Sequence, residues 1–133
     1  MEIGVTLPQF GTKATKENVI WMARMAEEEH FDSLWVNERL LWPLNPRTPA
    51  NSPDGNLPSC YQNVLDPLET LTFAAANTDK IALGTSVIDM LFHNPVILAR
   101  RFVTYIEVKR FHLCCKDRKI ICFPKYYYTD IDG

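Results

Sequence analysis

Glycine is scarce in this chain, five residues in 133. The turn after the first apolar run, "LPQFGTKAT", holds neither GxGxxG nor a Walker pattern. That argues against a dinucleotide or nucleoside-triphosphate site in the first βα turn. Excess positive charge is missing too: 14 Lys and Arg stand against 16 Asp and Glu, a formal net charge of −2. No basic field therefore invites nucleic acid. No apolar run approaches the ~20 residues that span a bilayer, so no membrane partner is expected. The start, "MEIGVTLPQF", lacks the basic residues and apolar stretch of a signal peptide. Cysteine offers no framework, because Cys60 stands alone and Cys114, Cys115 and Cys122 crowd together without regular spacing. A cytoplasmic location is the expectation.

What is present fits one globular domain, with 47% hydrophobic and 23% charged residues. Ile3 to Leu7 is short and β-branched and is followed by Pro8, which reads as a strand ending there. Thr15 can cap a helix running to about His30. Val19, Met22, Ala23 and Ala26 form its apolar stripe, while Arg24, Glu27 and Glu28 lie off the stripe and can face water. Ser33 to Val36 is the next buried strand. Strand, helix and strand with short connections make a βαβ unit with parallel strands.

A long interruption follows, residues 37–64, containing Pro43, Pro46, Pro49, Pro53 and Pro58 and a turn signal at Asp54-Gly55. Its apolar residues Leu40, Leu41, Trp42, Leu44 and Tyr61 are more than a solvated linker would carry. A folded lid loop is the better reading. "DPLE" at Asp66 to Glu69 is a helix start, with Asp66 as cap and Pro67 at the first position. Ile81 to Ile88 is near-continuously apolar and reads as a strand buried on both faces. Asn94 caps a further helix, with Pro95 in its first turn. The alternation predicts an α/β fold, either an open doubly wound sheet or a (β/α)8 barrel. A full barrel typically needs ~250 residues, so this chain holds rather less than half of one.

The blocks "FDSLWVNERLLWPLNPRTP", "PDGNLP", "VLDPLETLTFAAANTDKIALGTSV" and "NPVILARRFVT" closely resemble the N-terminal part of the luciferase-like monooxygenase superfamily. They are most similar to its subgroup assigned to the deazaflavin coenzyme F420, and the resemblance covers about residues 1–108. It implies the first three βα units of a (β/α)8 TIM barrel. It further implies an oxidoreductase that moves hydride equivalents or oxygen through coenzyme F420, with FMN as the alternative, on a small-molecule substrate. In relatives a non-prolyl cis peptide bulges against the ring at the end of the third strand, which places the expected cis bond at Ser86–Val87. Thr85, Ser86 and Val87 are thus expected to line the cofactor, with Gln9 after the first strand.

Where many deazaflavin relatives carry Asp-His after the second strand, this chain has Glu38-Arg39. Arg39 stays charged and so cannot exchange protons near neutrality. It can hold an anionic cofactor or stabilise negative charge developing on a ring. Glu38 is a candidate base, or the partner that orients Arg39. Asp89 and His93 read as loop residues near the same end, and Trp35, Trp42 and Phe92 as aromatics for the core or for covering a ring.

After Val108 the chain departs from the family pattern. Residues 109–133 form a divergent tail, expected to arise from a reading-frame shift or fusion, in which "KIICFP" can cover a strand edge. His112, Cys114, Cys115 and Cys122 have poor zinc spacing, so no metal is expected. An incomplete barrel leaves open edges, from which a homo-oligomer is expected. The resemblance implies that the phosphate-binding part lies in the missing half, so weak cofactor affinity is expected. The competing expectation is a half-barrel fragment that acts without catalysis, as a self-assembling or partner-binding module.

Overall fold

The computed structural model describes residues 2–44 and 55–108, together with the backbone of 111–114 and 120–121. In chain order the elements are β1 (Gly4–Thr6), α1 (Lys16–Glu28), β2 (Ser33–Asn37), α2 (Pro67–Ala75), β3 (Ala82–Val87), α3 (Pro95–Val108), β4 (Phe111–Cys114) and β5 (Ile120–Ile121). The strands lie side by side in that order, β1 to β4 parallel and β5 antiparallel to β4. Three βα units in an open sheet are consistent with part of a (β/α)8 barrel. Of the tail, Phe111–Cys114 extends the sheet beside β3, and the "KIICFP" segment turns back onto β4 through Ile120 and Ile121. The rest of 109–133 lies outside the described residues, and with it the His/Cys group.

The three helix starts form for local reasons. Thr15 Oγ1 accepts the Asn18 N–H at 3.3 Å at the start of α1. Asp66 Oδ1 accepts from Leu68 N and Glu69 N, with Pro67 at the first position of α2. Asn94 Oδ1 accepts from Val96 N and Ile97 N in the same way for α3. Each cap satisfies donors that the helix itself cannot, which contributes about 1 kcal/mol. The end of α1 is closed by a backbone motif: Phe31 N donates to Ala26 O, and His30 N donates to Glu27 O. His30 takes the left-handed conformation this motif requires, at φ 61°, where glycine is the usual occupant.

All three helices pack on one face of the sheet. Leu34, Val36 and Leu83 of the strands form a single buried cluster with Val19, Ala23 and Ala26 of α1, Leu68 and Leu71 of α2, and Leu98 and Phe102 of α3. Burying each leucine stabilises the fold by roughly 2 kcal/mol. Tyr105 ties α3 to α2, its hydroxyl bonding to Leu68 O and to Thr72 Oγ1. Burial, before any neighbouring charge, raises the Tyr105 pKa above the ordinary value for tyrosine.

The opposite face is organised by one ring. Trp35 lies across the neighbouring strands, its Nε1 donating to Ser33 Oγ at 2.8 Å. A Cβ on Gly4 would stand 2.4 Å from Trp35 Nε1, and one on Gly84 would stand 2.7 Å from its six-membered ring. Two of the few glycines are therefore spent on letting one indole lie flat.

Glu27 corrects the reading of α1. Instead of facing water, its carboxylate accepts the backbone N–H groups of Asp79, Lys80 and Ile81 at 2.5 to 3.0 Å. It thereby fixes the turn that delivers the chain into β3.

Candidate functional site

The carboxyl ends of parallel strands are where α/β enzymes place their chemistry, because the loops there diverge and leave a hollow. Here β1, β2 and β3 end at Thr6, Asn37 and Val87, and the residues that follow converge.

The register between β2 and β3 changes at this end. Val36 lies opposite Thr85, but Asn37 lies opposite Val87, so Ser86 is bulged out of the pairing. The expected cis bond is absent: every peptide bond among the described residues is trans, Ser86–Val87 included. The outward step is made instead by the extra residue, the usual effect of a bulge. Buried from Ala82 to Thr85, β3 becomes exposed at Ser86 and Val87.

Glu38 follows β2 directly, and its backbone N–H donates to Val87 O at 2.9 Å, which fixes it beside the bulge. Its side chain is 1% exposed. A buried carboxylate needs partners for both oxygens, and it has them. Oε2 accepts from Asp89 N at 2.6 Å, and Oε1 lies 2.7 Å from His93 Nε2. Glu38 thus spans the loop between β3 and α3, holding its second residue, Asp89, and its last but one, His93. Its partner is His93, not Arg39. The guanidinium of Arg39 lies instead over the Tyr61 ring, 4.9 Å from the centroid, and Tyr61 meets Phe10 edge-on at 5.1 Å.

Gln9 is completely buried, and its amide does structural work. Its Oε1 accepts the Asn37 N–H, and its Nε2 donates to Leu65 O at 3.2 Å. The backbone joins in: Leu65 N donates to Gln9 O, Gly11 N donates to Asn63 O, and Phe10 bridges Val64 antiparallel. The later part of the long loop, with a 3-10 turn at Ser59–Gln62, is thereby bolted to the segment after β1. Residues 45–54 of that loop lie outside the described residues.

Thr85 is also fully buried. It shares strand parity with Leu83 and lies opposite Val36, so it sits on the helix-packed side. Its hydroxyl finds no hydrogen-bond partner among the described residues. Of the residues expected to touch a cofactor, then, Ser86 and Val87 are open to one, whereas Gln9 and Thr85 are sealed beneath the surface. Asp89 contributes its backbone N–H. Met90, Leu91 and Phe92 follow as exposed apolar side chains.

His93 is the member that sequence reasoning left in the loop. The only local signal was its place just before the Asn94-Pro95 helix start. Its pairing with a residue 55 positions earlier had no mark in the sequence.

Among the described residues no group of His, Cys, Asp and Glu is arranged to hold a metal ion, and no helix is long and apolar enough to cross a membrane. No curated protein matches the sequence. A family model does, that of the luciferase-like monooxygenases, over residues 1–108. The matched span takes in β1, β2 and β3, the loop bolted by Gln9, and the Glu38–His93 corner, so this chain belongs to the luciferase-like monooxygenase family.

Proposed function

We propose that this chain serves a flavin-type oxidoreductase, with coenzyme F420 as cofactor, FMN as the alternative, and a small molecule as substrate. The family is one of flavin-dependent oxidoreductases, which sets the reaction class. The observation that carries the reading onto this chain is the corner at the carboxyl ends of β2 and β3. There a buried carboxylate, an imidazole and a strand bulge are tied to one another within hydrogen-bond distance.

The residues fit the ring end of such a cofactor. Val87, Met90 and Phe92 are exposed and apolar, which suits one face of a flat ring. Arg39, steadied on Tyr61, supplies a permanent positive charge for an anionic group. For the phosphate end there is no glycine-rich turn among the described residues, so modest affinity is expected. When bound, the cofactor supplies a ring that takes up or gives a hydride equivalent. The chain's part is to shape the ledge with the Ser86 bulge, to place charge with Arg39, and to hold a proton at the Glu38–His93 pair.

A fluorescence titration of the full chain with FMN and with coenzyme F420 tests this. Saturable binding of either, weakened by Arg39→Ala, is expected. Failure of both to bind removes the reading for this chain.

A second reading is favoured by a separate observation. Leu91, Val96 and Ile97 are strongly exposed, and the outer edge of β1 carries no strand among the described residues. Such surface suits a homo-oligomeric, non-catalytic assembly module. A monodisperse monomer in sedimentation velocity would count against it.

A further inference from the structure

We infer that His93 is the proton-exchanging group of this site, presented through its Nδ1 atom, and that Glu38 is the residue that positions it. The inference rests on the oxidoreductase reading above and assigns the role within it.

Glu38 is poorly suited to meet a ligand itself. Its side chain is 1% exposed, and both of its oxygens are already engaged, by Asp89 N and by His93 Nε2. His93 is 20% exposed. It is the more open member of the pair, and it follows the exposed Phe92 in the chain. A carboxylate only accepts, so the contact at 2.7 Å requires the hydrogen to sit on Nε2. In the neutral ring this leaves a lone pair on Nδ1, for which the described residues offer no partner. Fixing one nitrogen of a histidine through a carboxylate decides what the other can do.

The backbone reinforces the arrangement. His93 N donates to Met90 O at 3.3 Å, and Glu38 N donates to Val87 O. The Glu38 side chain is therefore mounted on a segment tied to the end of β3, and His93 on the closing turn of the loop that follows it. A proton carried by a substrate oxygen or nitrogen can pass to Nδ1. The substrate O–H or N–H bond breaks, an Nδ1–H bond forms, and the imidazolium charge is balanced by Glu38 across the existing hydrogen bond. Return of the proton to product or to water restores the starting tautomer. No oxidant is consumed in this step.

The test uses the full chain with histidine rings labelled with 15N, as wild type, Glu38→Gln and His93→Gln. The wild-type ring of His93 is expected as a single tautomer with bare Nδ1. In Glu38→Gln one amide oxygen faces two donors, Asp89 N–H and His93 Nε2–H, and the tautomer preference should relax. His93→Gln keeps a donor for Glu38, so it preserves the fold while identifying the resonance. A bare Nε2 in the wild type, or identical spectra in wild type and Glu38→Gln, overturns the inference.

A second readout asks where Nδ1 points. Diethyl pyrocarbonate acylates bare imidazole nitrogens, and FMN at ten times its Kd should slow its reaction with His93 about tenfold. Bound FMN with no protection of His93 also overturns the inference, while leaving the cofactor reading intact. If neither FMN nor coenzyme F420 binds, the oxidoreductase reading falls and takes this role with it. The ring spectra then still report whether Glu38 fixes the tautomer.

Discussion

Glu27 and Glu38 are two glutamates at opposite ends of the sheet, and they are used differently. Glu27, near the amino end of β3, gives its carboxylate to three backbone N–H groups, those of Asp79, Lys80 and Ile81. Glu38, at the carboxyl end of β2, takes one backbone N–H and one imidazole. The three backbone amides of the first arrangement do not titrate. The second contains an imidazole ring, whose two nitrogens can exchange donor and acceptor roles. One carboxylate fixes a turn; the other fixes a loop and a ring. The division agrees with the general habit of α/β barrels, in which the amino end serves stability and the carboxyl end serves reaction.

If that division is right, the largest loss of stability should come from the committed group. Glu27→Ala leaves three backbone donors without their acceptor and should cost about 3 kcal/mol, read as a lowered urea midpoint. A shift no larger than that of an ordinary surface substitution would break the comparison. Gly84→Ala comes next, because its Cβ would stand 2.7 Å from the Trp35 ring. Overpacking there should cost about 2 kcal/mol and displace the Trp35 fluorescence.

Tyr105→Phe removes a hydroxyl committed to Leu68 O and Thr72 and should cost about 1 kcal/mol. It should also change the alkaline limb. The Tyr105 pKa is raised in the folded state by burial, so unfolding releases its proton more readily. Its contribution is whole below the unfolded value of about 10 and is lost as pH rises through the folded value. Denaturation followed from pH 8 to 11 should therefore be steeper in wild type than in Tyr105→Phe. The smallest effect, with the opposite sign, belongs to Thr85. Its hydroxyl is buried and unpartnered, and Thr85→Val should be neutral or stabilising by up to about 1 kcal/mol in the same urea assay. A clear loss would mean that the hydroxyl has a partner after all.

The sequence made the elements legible wherever the cause was local. Thr15, the Asp66-Pro67 pair and the Asn94-Pro95 pair each cap the helix they announce, because capping is a contact between residues two or three apart. The alternation of strands and helices gave the α/β class for the same reason. What escaped was long-range. Glu27 lies off the apolar stripe of α1, and no helical pattern could reveal that the 79–81 turn passes over it. Glu38 was a candidate from its position after a strand, but its neighbour Arg39 was the obvious partner and His93 was not. The step at Ser86 was expected, yet its means differed. Pairing register depends on two strands at once, and one strand read alone does not contain it.

The grip of Gln9 has a consequence for how the molecule can change. The connection from Asn37 to Leu65 leaves from one end of this amide and returns to the other, since Asn37 N and Leu65 O are both its partners. The connection is thus a cassette whose two ends are clipped to one side chain. Lengthening such a cassette twofold costs only about 0.6 kcal/mol of closure entropy, and neither β3 nor α2 need register the exchange. A different insert could be grafted between those two points while the frame that holds its ends stays as it is.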